Sequence, residues 1–248
     1  MSAAPSLPPR TASVSELLDA ASHIWRATLP KCLPLAMIAV LSAYLPALYL
    51  TAAGQPLPRP PALPKDPWYW ALYAVAMLAY LFLGSLAILR QREQALRGHG
   101  GLAEALRTAA QRLPVLTAAI VLCQLAVGFG LMLLVLPGIY IAVCSFVVWY
   151  VALLEPVGPW EALVRSVRRV HPLWWKYFAT IVIAFLIVAV SVFTALILAA
   201  LLLGLVTAAG SALGNAVAVA LGIAFFGAGM LFVTALGIVL YSAASSSD

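Results

Sequence analysis

The sequence predicts an all-α, polytopic membrane protein: six transmembrane helices arranged as three hairpins, each preceded by a cytoplasmic amphipathic interfacial helix. Three observations predict it. Of 248 residues only 9% are charged and 65% are hydrophobic, whereas a soluble domain carries about 25% charged residues. Uncharged apolar runs recur, among them Leu113 to Leu154, and a run of about 20 residues crosses a hydrocarbon core of roughly 30 Å. Their apolar character is continuous rather than alternating, which argues for helices and against a closed barrel.

The elements follow in order. Residues 1–12 form a Pro/Ser/Ala-rich tail that reads as disordered and carries no signal-peptide pattern. Residues 13–242 form a single membrane domain, and 243–248 a polar tail. Ser13 to Leu29 is amphipathic: Val14, Leu17, Leu18, Ala21, Ile24 and Trp25 share a face, and Ser13 with Glu16 has capping-box spacing. The first span runs from about Leu33 to Ala53. A proline-rich loop, residues 54–67, leads to a second span from Trp68 to about Leu89, opened by Trp68, Tyr69 and Trp70 at an interface. Arg90 to Arg112 is the main polar stretch, and its second half, from Leu102, is again amphipathic. The third span, about Pro114 to Leu136, turns at Pro137 and Gly138 into a fourth that ends at Glu155. A third amphipathic helix, Pro159 to Val170, starts with proline in its first turn. Spans five and six cover about Leu173 to Leu203 and Leu213 to Tyr241.

Counting basic residues orients the chain. Arg59 and Lys65 are the only two in the loops after spans one, three and five. The other twelve of fourteen lie on the opposite side. That asymmetry predicts six spans with both termini cytoplasmic. The net charge of +6 sits between spans, so anionic lipid headgroups are the expected partner and nucleic acid is not. A repeat is also visible. Glu16-Leu17-Leu18, Glu104-Ala105-Leu106 and Glu161-Ala162-Leu163 each open an amphipathic helix that reaches a proline, at Pro30, Pro114 and Pro172, and then a span.

Leu136-Pro137-Gly138-Ile139-Tyr140, Glu155 closing the fourth span, Glu161-Ala162-Leu163 with Ser166, and the Glu16-Leu17-Leu18-Asp19 helix carry a resemblance. The chain resembles the YciC-type inner-membrane proteins and the membrane domain fused to some bacterial glycerophosphodiester phosphodiesterases. The resemblance implies a six-span inner-membrane protein associated with envelope and lipid homeostasis. The phosphodiesterase barrel is absent, so the expectation is a non-enzymatic protein.

The chemistry-bearing residues agree. No H-E-x-x-H, C-x-x-C or G-x-S-x-G motif occurs, so no catalytic residue, metal ligand or cofactor is expected. His99, between Gly98 and Gly100, reads as a turn. Cys32, Cys123 and Cys144 read as buried apolar residues. Paired glycines, Gly128 with Gly130 and Gly227 with Gly229, read as close-packing sites. Glu155 reads as an ion-pair partner for Arg165, Arg168 or Arg169. Arg165, Arg168, Arg169 and Lys176, with Trp174 and Trp175 beside them and Arg107 and Arg112 nearby, form the candidate site for lipid headgroups. The alternatives are a small transporter or channel for an uncharged or amphiphilic solute, its path lined by Gln124 and the span hydroxyls, or a scaffold subunit of a membrane complex.

Overall fold

The computed structural model describes residues 8–9, 11–54, 64–97, 101–206 and 212–245. Nine α-helices and a 3-10 turn are found there, with no strand among the described residues: α1 (Val14–Ala43), α2 (Leu45–Ala52), α3 (Pro67–Arg97), α4 (Leu102–Leu133), α5 (Val135–Ser145), α6 (Val148–Leu154), α7 (Pro159–Val170), the turn His171–Leu173, α8 (Trp174–Val206) and α9 (Ala212–Ser245). Six helical segments are long and apolar enough to cross a membrane. The chain is an all-α, multi-pass membrane protein by that criterion.

The first two amphipathic segments are not separate interfacial helices. Ser13 caps α1 through a full capping box with Glu16, and the helix then runs unbroken for 30 residues through Pro30 and Pro34. A proline removes one backbone donor and leaves the carbonyl four residues earlier unbonded. Arg26, Pro30 and Pro34 all lie on the exposed face, so the buried face of Leu17, Ala21, Ile24, Thr28, Cys32 and Ala36 stays continuous. The second segment behaves likewise: α4 runs 32 residues through Pro114, which is exposed along with Ala110. Only α7 stands apart, cut off from α8 by the turn around Pro172.

The other corrections concern breaks. Span one ends α1 at Tyr44 and continues as the short helix α2, whose Tyr49 hydroxyl donates to Asp66 just before α3 (2.6 Å). Span four is two helices, interrupted at Phe146 and Val147. The hairpin turn is not at Pro137 and Gly138 but at Leu134, the one extended residue between α4 and α5 (φ −160°, ψ 147°). Pro137 sits in the first turn of α5, where no backbone donor is needed. Gly138 faces Gly130: a Cβ on Gly130 would lie 2.9 Å from the Gly138 Cα, and one on Gly138 would lie 2.8 Å from the Leu131 nitrogen. The two glycines let so short a turn close. Finally, α9 continues to Ser245, with Ala243 and Ala244 buried, three residues into the stretch read as a tail.

α9 is the central helix, packed by α1, α8, α3 and α6. Its register with α8 is antiparallel: the Tyr177 hydroxyl donates to the Leu240 carbonyl (2.9 Å), and Gly229 and Gly222 face Val188 and Leu196. The start of α8 and the end of α9 therefore share one end of the bundle. The start of α1 joins them, because α1 runs antiparallel to α9: Gly227 faces Ala36 and Met37, and Trp25 packs edge-on against Phe232. This is the basic end. The most completely buried residues, among them Leu17, Cys144, Val151, Ala162, Val170 and Leu240, concentrate there.

Candidate functional site

Two features stand out, an ion cluster at the basic end and an apolar cavity deeper in the bundle. The cluster is organised by Glu155, the residue that ends α6. Its Oε2 accepts from Arg165 Nη1 (2.9 Å), its Oε1 from the Tyr241 hydroxyl (3.0 Å), and Oε1 also pairs with Arg169. Arg165 bridges onward to Glu161, one turn earlier on α7. The α7 sequence builds this locally. Pro159 and Glu161 suit its first turn, Arg168 and Arg169 its last, and Ala162, Leu163, Ser166 and Val170 turn inward. The Ser166 hydroxyl donates to the Cys144 carbonyl (2.6 Å), which fastens α7 across α5. Burial alone would push the Glu155 carboxyl up, but hydrogen bonds from Arg169, Arg165 and Tyr241 outweigh it. The group is held below the usual carboxylate range and is ionised at neutral pH.

The sequence-expected headgroup residues divide. Arg165 and Arg169 are committed to Glu155, and the Arg169 side chain is only 11% exposed. Arg168 on α7 and Arg107 on α4 are exposed, and Arg112 and Lys176 are half-exposed. α4 packs on α7, and Ala105 and Ala109 are its buried residues there, which leaves Arg107 on the outer face. Trp175 is exposed, whereas Trp174 is half-buried. Trp174 stacks on Phe178 (5.1 Å) and Tyr140 (5.7 Å).

The cavity, about 570 Å³, lies between α3, α6, α8 and α9, within the 300–1,000 Å³ typical of ligand pockets. Tyr80, Phe146, Trp149, Tyr150, Phe185, Phe193 and Phe226 supply aromatic walls, and Val188, Val192 and Val233 fill between them. Its polar atoms are engaged with protein: Trp149 Nε1 donates to Ser85 Oγ (3.3 Å), the Tyr150 hydroxyl to the Thr234 carbonyl (3.1 Å), and the Tyr80 hydroxyl contacts Met230 Sδ (3.4 Å). Glycines let the walls approach. A Cβ at Gly84 would lie 3.1 Å from the Trp149 ring, and one at Gly237 would overlap the Tyr150 hydroxyl. What remains is an apolar space with nothing to hold a polar solute.

Below the cluster lies a polar node that sequence reading missed. Gln91 is fully buried. Its Nε2 donates to Thr28 Oγ1 (3.0 Å) and the Leu231 carbonyl (3.1 Å), and its Oε1 accepts from Thr234 Oγ1 (2.6 Å). It ties α1, α3 and α9 together. The signal was present: Gln91 continues the buried face of Ala87 and Ile88 at helical spacing, beyond the charged boundary at Arg90.

The proposed solute path does not assemble among the described residues. Thr117, Thr180 and Ser191 donate to carbonyls of their own helices, and Gln124 is exposed on the outside of α4. Cys32 and Cys144 are buried and all three cysteines are free. No three His, Cys, Asp or Glu side chains among the described residues could hold a metal ion. His99 lies outside the described residues.

No family model, curated protein or solved structure matches the chain. The likeness to YciC-type proteins rests on its motifs alone.

Proposed function

We propose that this is a non-enzymatic protein of the bacterial inner membrane that holds lipid at the cytoplasmic leaflet. In this reading both termini are cytoplasmic and the basic end faces the cytoplasm. An acyl chain occupies the cavity, and an anionic headgroup pairs with outward basic side chains, chiefly Arg168 and Arg107. The observation that carries the reading is the cavity itself: an aromatic-lined, apolar space among membrane-length helices, whose polar wall atoms already have protein partners. A hydrocarbon chain is the ligand such a wall accepts. The basic asymmetry supports the headgroup half, each basic side chain near the surface contributing about 1 kcal/mol toward anionic lipid. Arg165 and Arg169 are assigned to Glu155 instead.

Native mass spectrometry of protein released in mild detergent tests this. Wild type should retain lipid in stoichiometric amount, and Ala189→Trp, which fills the cavity, should lose it. Arg168→Gln with Arg107→Gln should retain lipid but lose the preference for anionic species. Protein free of lipid, or equal retention by wild type and Ala189→Trp, would sink the reading.

A further inference from the structure

We propose that two copies of this chain associate in the membrane along the outer face of α4, through reciprocal hydrogen bonds between their Gln124 carboxamides. Gln124 is exposed, and its carboxamide has no hydrogen-bond partner among the described residues. Arg112 is the last charge before it, and Leu113 opens the apolar run. From Leu113 to Gln124 the helix rises about 16 Å, which places the amide near the middle of a core roughly 30 Å thick. Water and lipid headgroups lie out of reach at that depth. A polar group left unbonded in hydrocarbon is costly, so an amide facing outward there calls for a partner from outside the chain.

The sequence around Gln124 has the spacing of a packing seam. Thr117, Val121, Gln124, Gly128 and Leu131 follow one another at intervals of four, three, four and three residues, the period with which two helices wind about each other. Val121 is 52% exposed and Leu131 48%, and Gly128 is exposed as well. The neighbouring Gly130 is taken up by the close approach to Gly138, whereas a Cβ on Gly128 would meet nothing within 4 Å. Nothing among the described residues requires that glycine, and glycine weakens a helix interior. A second helix laid along the seam makes use of it, because small residues let membrane helices approach closely. Beside the seam, a groove between α3 and α4 lined by Leu78, Thr117, Val121 and Leu122 receives the partner's side chains.

The amide selects a second copy as the occupant. A carboxamide carries donors and an acceptor together, so two of them facing each other exchange two hydrogen bonds. Basic residues concentrate at one end of the bundle, so every copy inserts with the same orientation. Two α4 helices then run parallel about a two-fold axis along the membrane normal, and their Gln124 side chains meet at one depth. A single polar residue in an apolar seam fixes register and the number of helices that join. The cavity has no wall from α4, so this contact stands apart from any lipid held there.

Energy transfer between labelled copies in liposomes, at decreasing protein density, tests this. Wild type should form dimers, and Gln124→Leu should raise their dissociation constant about tenfold. Gln124→Asn, which keeps an amide, should weaken them less than Gln124→Leu does. The leucine variant should keep the wild-type melting midpoint in detergent, because Gln124 bonds to no described residue. Oxidative cross-linking in native membranes reads the geometry. Cys32 and Cys144 are buried, so Gly128→Cys is placed in a Cys123→Ala chain and compared with Val190→Cys, 59% exposed on α8. Gly128→Cys should form a disulfide-linked dimer many times faster than Val190→Cys, and adding Gln124→Leu should slow it toward that control. A wild-type chain that stays monomeric, a dimer indifferent to Gln124→Leu, or equal cross-linking at both cysteines would overturn the proposal. So would a different protein captured through Gly128→Cys.

Discussion

Replacing Glu155 with glutamine isolates what the ion cluster contributes. The change keeps the shape and one oxygen acceptor but removes the charge that Arg165 and Arg169 share. Arg165 is 41% exposed and can turn to water or to Glu161, so its loss counts for little. Arg169, 11% exposed, is far less accessible to water. Removing one partner of a fully buried pair costs about 3–5 kcal/mol. With Glu155 itself 13% exposed, we expect about 2–4 kcal/mol, which at roughly 2–4 °C per kcal/mol for a chain of this size lowers the melting midpoint by several degrees or more. Thermal unfolding in detergent, followed by helical circular dichroism, reads it. The pH dependence has a defined sign. Because the folded carboxyl titrates below the ordinary glutamate value of about 4.3, its contribution is fully present above that value. It is lost as pH falls through the lower folded value. Wild type should therefore hold its midpoint from pH 8 to 5 and lose the difference from Glu155→Gln in acid. A double variant, Glu155→Gln with Arg169→Gln, should recover part of the loss, because the poorly solvated guanidinium is removed together with its carboxylate. A variant melting with wild type, or a wild-type loss centred near pH 6 to 7, would refute the reasoning.

Three further outcomes are expected. Gln91→Leu removes three hydrogen bonds, but Thr28 and Thr234 keep acceptors on their own helices. At about 0.6 kcal/mol per bond in a membrane, the loss should be about 2 kcal/mol by detergent-titrated unfolding. Gly237→Ala forces a methyl into the Tyr150 ring and hydroxyl and should cost about 1–3 kcal/mol as an overpacked core in the same unfolding assay. Gly138→Val should disrupt the α4–α5 turn, which allows no Cβ, and appear as new proteolytic cleavage between α4 and α5 in purified protein.

The helices were legible because hydropathy over 20 residues is set by the bilayer, whatever their partners. Their breaks were not. Pro137-Gly138 has the composition of a turn, yet proline is equally at home in a first helical turn, and the extended residue is Leu134, whose side chain announces nothing. Pro30 and Pro114 looked like boundaries. They fall on exposed faces, where a missing backbone bond leaves the buried packing intact. The pairing of Glu155 with α7 could be anticipated from the short Gly158-Pro159 connection. Which arginines would take part could not, since Arg165 and Arg169 lie one turn apart on the same face and Arg168 lies off it. The cavity was invisible in the sequence, because its walls come from four helices distant along the chain, and Trp149 or Phe185 alone is indistinguishable from core.

Tyr150 joins the cavity to the cluster. It lines the cavity, and its ring stacks on Tyr241 (6.5 Å), which donates to Glu155. Two stacked aromatic rings, Tyr150 and Tyr241, thus separate the cavity from the carboxylate that holds α7. At Tyr150 the ring makes that separation and the hydroxyl does not, since its bond to the Thr234 carbonyl is worth only about 0.6 kcal/mol in a membrane. Tyr150→Phe should therefore keep lipid retention and the acid-stability profile of wild type. Tyr150→Ala opens the wall, costs about 3–5 kcal/mol as a large-to-small core change, and admits water to the buried side of Glu155. Lipid retention should fall and the acid loss should shrink together in that variant. If one moved without the other, the cavity and the cluster would be separate devices that merely share a helix.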